Sequence, residues 1–278
     1  MLRLVLCAGA TATTASAQGH GPIFGLATPT LGAGGWSLDV ATMGRLIGQT
    51  EIVMLRPMVS YGITEDVQVS ASLPMPVYVP TGLPPAHGAS RMSASPDVEF
   101  VLGWRFHRQG LNIGSRFEST AFMGFDYPTD AVRAGVKTAP GVYGALATGF
   151  ASRTIYTWVG GLYRRYMTPI GATADHPGDV AMYSVVLGYR PPPLRQDYPH
   201  PDWRVFLEGI GEYGMKDVIA GVVQPGTGGH QVFLGPTLLG LYGSWGISGG
   251  PVFSVYRQVN GAQPRERTRL ALNTTFWF

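Results

Sequence analysis

The stretch Leu111-Asn112-Ile113-Gly114-Ser115-Arg116-Phe117-Glu118-Ser119-Thr120-Ala121-Phe122-Met123-Gly124-Phe125 changes character at every second residue. Its odd positions hold Leu111, Ile113, Phe117, Ala121, Met123 and Phe125, with Ser115 and Ser119 among them. Its even positions carry Asn112, Arg116, Glu118 and Thr120. Successive side chains of a strand point to opposite faces, so period two sorts these residues into an apolar face and a polar, charged face. Segments of about ten residues with this alternation, separated by turns, are the pattern of strands that cross a bilayer with one side on lipid and the other on a polar interior.

Three more segments repeat it. Residues 97–107 set Val98, Phe100, Leu102, Trp104 and Phe106 against Asp97, Glu99, Arg105 and His107. Residues 67–79 set Val67, Val69, Ala71, Leu73, Met75, Val77 and Val79 against Gln68, Ser70 and Ser72. Residues 203–213 place Trp203, Val205 and Leu207 opposite Arg204, Glu208 and Glu212. Weaker strands are expected over 36–47, 51–61, 142–151, 154–166, 180–190, 231–242, 245–257 and 267–278, giving about twelve in all. Two of them, 154–166 and 231–242, are apolar on both faces, so their phase is open by a residue. An even count puts both ends of the barrel on the periplasmic side. Inner turns are then expected at 62–66, 108–110, 152–153, 191–202 and 243–244, and outer links at 48–50, 80–96, 126–141, 167–179, 216–230 and 258–266, mostly short inside and long outside. The Pro-rich 191–202 is the long exception inside, where a further strand pair could hide.

The last strand, Arg267-Thr268-Arg269-Leu270-Ala271-Leu272-Asn273-Thr274-Thr275-Phe276-Trp277-Phe278, directs Leu270, Leu272, Phe276 and Phe278 to lipid and Arg269, Asn273 and Trp277 inward. Phe276 and the terminal Phe278 resemble the C-terminal signal that barrel assembly machinery reads, which names that machinery and outer-membrane lipid as partners.

Composition agrees. Charged residues are only 13% of the 278, glycines number 39, and no apolar run reaches the length of a membrane helix. The expected class is all-β, a transmembrane antiparallel up-and-down β-barrel over residues 35–278. Met1-Leu2-Arg3-Leu4-Val5-Leu6-Cys7-Ala8, followed by Ala15-Ser16-Ala17, has the form of a signal peptide over 1–17 with cleavage before Gln18, hence export to the outer membrane. Cys7 would leave with it, so no thiol or disulfide chemistry is expected. Residues 18–34 are too rich in Gly and Pro for regular structure, and are expected either to lead in from the periplasm or to enter the lumen as a plug. The net charge of +3 carries no Lys/Arg cluster, which argues against nucleic acid.

Charges facing hydrocarbon are costly, so period two directs Asp39, Glu99, Glu118, Glu208, Glu212, Arg45, Arg56, Arg105, Arg116, Arg204 and Arg269 to the lumen. They line a polar pore, or they fill a narrow barrel with ion pairs; similar numbers of both signs leave the two readings equal. His20, His87, His107, His176, His200 and His230, some near Met92, Met167 and Met215, raise the thought of copper, yet match no compact metal motif. No metal site or cofactor is expected. His87 with Ser90 is too slight a pairing for a hydrolase, no phosphate-binding glycine loop occurs, and no catalytic residue is assigned.

Gly34-Gly35-Trp36-Ser37-Leu38-Asp39, Tyr61-Gly62-Ile63-Thr64-Glu65-Asp66, Ser95-Pro96-Asp97-Val98-Glu99, Tyr127-Pro128-Thr129 and Pro177-Gly178-Asp179 together resemble the family of outer-membrane transporters named for the meta-pathway of phenol degradation. The resemblance spans most of the chain beyond residue 17. It implies a barrel and transport of small, hydrophobic or aromatic molecules, and brings no binding residues with it. Tyr198-Pro199-His200-Pro201-Asp202 departs from the family pattern. In the Tyr61-Gly62 turn, glycine is expected to relieve a tight bend, with the aromatic at the membrane interface. The expected function is a passive channel for small solutes. The alternative is a non-conducting barrel whose outer loops bind a ligand or a metal such as copper.

Overall fold

A computed structural model describes residues 21–78, 97–128, 139–167, 176–196 and 200–278. The expected signal peptide over 1–17, His20, His87 and the whole outer link 80–96 lie outside the described residues. The strands are β1 (Trp36–Ile47), β2 (Thr50–Gly62), β3 (Val67–Ser72), β4 (Met75–Tyr78), β5 (Asp97–Asn112), β6 (Ser115–Pro128), β7 (Gly141–Ala151), β8 (Ile155–Tyr166), β9 (Val180–Tyr189), β10 (Asp202–Gly214), β11 (Val218–Ile219), β12 (Val222–Val223), β13 (Gly229–Tyr242), β14 (Trp245–Val259) and β15 (Glu266–Trp277). β11 and β12 form a small hairpin of their own. β3 and β4 both pair with β2 and are two halves of one wall strand, so the wall counts twelve antiparallel strands.

Each wall strand pairs with its neighbours in sequence, and β1 closes the ring on β15 from Ser37↔Trp277 to Ile47↔Glu266. Phe278 completes the seam: its N–H donates to the Trp36 carbonyl at 3.0 Å, and its carbonyl accepts from the Trp36 N–H at 3.2 Å. Closure leaves no edge strand, which is what lets a sheet stand in hydrocarbon.

The outer surface is apolar around the ring. Phe100, Leu102, Val159, Leu187, Leu207, Leu238, Leu270 and Leu272 are all exposed, as are Phe276 and Phe278. Such a continuous band is untenable in water and suits a bilayer. The end of the barrel with the short connections, near Trp36 and Trp277, is the turn end, and the opposite one is the loop end.

Several expected boundaries shift. The strand expected over 67–79 breaks at Leu73-Pro74, where proline removes a ladder donor, and resumes as β4. The turn expected at 108–110 is strand, and the hairpin bends at Ile113–Gly114, where Gly114 has a φ of 77°. A bulge between Arg105 and His107 accompanies this extension, so His107 is exposed instead of facing the lumen with Arg105. The 191–202 connection holds a 3-10 turn over Pro192–Leu194 and no further strand among its described residues.

Candidate functional site

Inside the wall the charged residues form four groups. At the loop end, Arg45 grips Glu266 with both Nε and Nη2, at 2.6 and 2.9 Å. Arg269 bonds both oxygens of Glu212 at 2.5 and 2.6 Å, reaches Glu266 at 2.9 Å, and lies 3.9 Å from the Phe233 ring centroid. Beside this group Arg56 pairs with Glu99, which also meets Arg164 at 3.3 Å, and Arg164 continues to Asp126 at 3.2 Å. Toward the turn end Glu118 holds Arg105 at 3.2 Å and Arg116 at 2.9 Å, and Arg105 reaches Asp66 at 2.8 Å. At the turn end Asp202 binds Arg190 at 2.6 Å and Arg204 at 3.3 Å. Asp39 instead takes hydrogen bonds from Thr275 at 2.5 Å and Asn273 at 3.0 Å.

Partners that the sequence did not single out complete these groups. Glu266 and Arg269 are three residues apart, out of phase for one face of a regular strand. Both turn inward because the β1–β15 register slips between Thr268 and Glu266. Arg164 sits in a strand apolar on both faces, and Asp126 belongs to β6, which runs on to Pro128 instead of ending at Phe125.

Apolar side chains lie beside these charged groups on the inner wall. Tyr156 and Trp158 of β8, Val186 of β9, Phe206 of β10, Leu239 and Leu241 of β13 and Trp277 of β15 pack as one cluster. Tyr156 and Trp158 stack with centroids 5.6 Å apart, and Phe206 lies 6.2 Å from Trp158. Met182, Ile210, Phe233 and Val252 make a second patch. The lumen therefore presents apolar patches beside its charged groups.

Residues 22–31 lie against this wall from within. The N–H groups of Phe24 and Gly25 donate to Oε2 of Glu208 at 2.8 and 2.7 Å, and that of Ile23 to Oε1 at 2.9 Å. Leu26 N–H donates to Ser184 Oγ at 3.0 Å. Thr28 is fully buried; its hydroxyl accepts from the Trp158 indole at 3.1 Å and donates to Glu118 at 3.3 Å, and its carbonyl accepts from Thr120 at 2.6 Å. Leu31 N–H reaches Gln68 at 2.9 Å. Phe24 and Leu26 pack on the Met182–Phe233 patch, and Ala27 and Leu31 on the aromatic cluster.

Glycines make room for this segment. A Cβ on Gly160 of β8 would stand 2.8 Å from Leu26 Cβ, and one on Gly62 would stand 2.1 Å from the Gly32 carbonyl oxygen. Gly62 thus permits close approach of another backbone; it closes β2 and is not the bend of a tight turn, which corrects the expectation from sequence.

The described histidines do not converge. No cluster of three or more His, Cys, Asp or Glu side chains suited to a metal occurs among the described residues. His230 lies among Tyr183, Tyr213 and Tyr256, with Nε2 3.1 Å from the Tyr183 hydroxyl. His176 contacts the Pro177 carbonyl.

No protein-family model matches the sequence, and comparison with curated proteins gives no match. Among solved structures the chain is similar to an outer membrane channel from Pseudomonas putida F1, with 12% identity and a TM-score of 0.59 over 90% of this chain and 98% of that one. It also matches the KdgM porin, with 10% identity and a TM-score of 0.45 over 87% of this chain and 99% of that one. LpxR from Salmonella typhimurium matches with 10% identity and a TM-score of 0.44 over 87% of this chain and 100% of that one. At 12% identity the likeness to the Pseudomonas channel is one of fold, and the fold that this chain shares is that of an outer-membrane β-barrel.

Proposed function

We propose that the protein is an outer-membrane channel for small solutes with substantial apolar surface, held closed at rest by residues 22–31. One observation carries the reading. A separate stretch of chain enters the lumen among the wall's own side chains, and that stretch is held by hydrogen bonds and side-chain packing, outside the strand ladder. A barrel with no use for a bore can be packed from its wall strands alone. Removing a segment that has no place in the ladder would expose apolar patches beside charged groups, a lining that accommodates amphiphilic or aromatic molecules. The resemblance to the phenol-degradation meta-pathway barrels supports the aromatic choice, and the apolar outer band with the barrel fold supports an outer-membrane location.

The test is passage in reconstituted membranes. The full chain in planar bilayers should show rare openings, and proteoliposomes should swell in phenyl β-glucoside, a neutral, membrane-impermeant aromatic, faster than in glucose. Absence of both openings and swelling would sink the channel.

A further inference from the structure

Glu208 differs from the other lumenal acids. Glu99, Glu118, Asp126, Asp202, Glu212 and Glu266 each have an arginine within ion-pair distance. Among the described residues, the inward acids of the wall strands without one are Asp39 and Glu208. Asp39 is served by Thr275 and Asn273, which belong to the wall and stay with it. Glu208, wholly buried, accepts one hydrogen bond from the wall, from Thr237 at 2.5 Å; its other three donors are the N–H groups of Ile23, Phe24 and Gly25. Backbone N–H groups only donate, so three of them in succession make a cradle for an anion. Beside the carboxylate, the wall surface of Met182, Ile210, Phe233 and Val252 is covered by the side chains of Phe24 and Leu26.

If this segment leaves, as the channel reading above requires, Glu208 loses three of its four donors and faces the bore as a carboxylate at the border of an apolar surface. Water replaces those donors there only as mobile neutral dipoles, whereas a cation bearing N–H groups supplies donors and charge together. The segment offers the wall what such a solute would offer: N–H donors beside an aromatic ring. We infer that Glu208 is the anionic end of a binding site for aromatic solutes carrying a protonated amine, and that residues 23–26 occupy this site as an internal surrogate ligand. The solute's ammonium takes the place of the three N–H groups on Glu208, and its ring takes the place of Phe24 against the patch of Met182, Ile210, Phe233 and Val252. Ser184, freed by Leu26, supplies a neutral hydroxyl at the same site.

The inference rests on the channel reading but is tested separately from it. The full chain in detergent is titrated calorimetrically at pH 7 with tyramine, tyrosol and 4-hydroxyphenylacetate, which share a hydroxyphenyl skeleton and end in an ammonium, a neutral hydroxyl and a carboxylate. Tyramine should bind at least about tenfold tighter than tyrosol, a ratio equivalent to ~1.4 kcal/mol, and the carboxylate should bind weakest. Glu208→Gln should bring tyramine and tyrosol together. Equal binding of tyramine and tyrosol by the native chain, or a preference that survives in Glu208→Gln, would overturn the site. Should that variant fail to fold, the native ranking alone decides. Swelling in phenyl β-glucoside without a tyramine preference removes this site and leaves the channel; a tyramine preference without passage of any solute does the reverse.

Discussion

Replacing Thr28 by Val keeps the shape of a residue that is fully buried between the segment and the wall, and deletes one hydroxyl. That hydroxyl accepts from the Trp158 indole at 3.1 Å and donates to Glu118 at 3.3 Å, whereas the Thr28 carbonyl keeps its bond from Thr120. With the segment docked, the Thr28→Val protein leaves a buried indole N–H without its acceptor, and an unsatisfied buried donor costs about 1–3 kcal/mol. With the segment out, the indole faces the bore and water can serve it. The whole cost therefore falls on the docked state. The population of the undocked state should rise by about 5- to 150-fold. Single-channel recording of the native and Thr28→Val proteins at matched protein density reads this as the fraction of time open. Circular dichroism and denaturant unfolding check that the barrel is intact. An intact Thr28→Val barrel with an unchanged open fraction would refute the plug, and unfolding loosened by the full amount with no change in opening would make Thr28 an ordinary core residue.

Arg269→Met strips both oxygens of Glu212 and leaves Glu266 with Arg45 alone; breaking a buried pair from one side costs about 3–5 kcal/mol, to be read as a lower urea midpoint of unfolding in detergent. Gly160→Ala should raise the open fraction, because the new Cβ would lie 2.8 Å from Leu26 Cβ, whereas Gly144→Ala, with nothing within 4 Å of its Cβ, should behave as the native protein in the same recording. Leu272→Arg, exposed on the outer face opposite Thr42 at the middle of β1, should destabilise the barrel in lipid vesicles by about 2–4 kcal/mol, measured by reversible denaturant titration.

The wall was legible where one face is apolar and the other charged. In residues 117–125 the alternation assigns Glu118 and Thr120 to the interior and Met123 and Phe125 to the outside, as found. It misleads at Arg108-Gln109-Gly110, whose polarity imitates a turn. The β5–β6 hairpin there projects past the wall with both faces exposed, so polarity no longer reports which side a residue is on. The apolar lumen was hidden for the converse reason. Val159 and Trp158, or Leu238 and Leu239, are all uncharged, largely apolar side chains though one of each pair faces out and the other in, so β8 and β13 carry no readable phase. Bulges hid the rest, because the slip that turns Glu266 inward leaves no mark on its own residue type.

Residues 22–31 could not be placed from sequence because their partners are scattered along the chain, at Gln68, Glu118, Thr120, Trp158, Ser184 and Glu208. An extended segment outside the ladder satisfies few of its own N–H groups, so each buried one needs an acceptor on the wall. Ordering such a segment costs about 1–2 kcal/mol per residue, which the hydrogen bonds and the burial of Phe24, Leu26 and Leu31 must offset residue by residue. A filler fixed for good would gain more by joining the ladder, where every residue shares in strand pairing. In the proposed channel, attachment by side-chain acceptors is the arrangement in which a single lost contact shifts the population of the open lumen. The mixed wall suits the same requirement: its apolar patches receive the side chains of the segment, and isolated acceptors such as Glu208 and Ser184 receive its backbone, so whatever replaces the segment must present apolar surface and donors together.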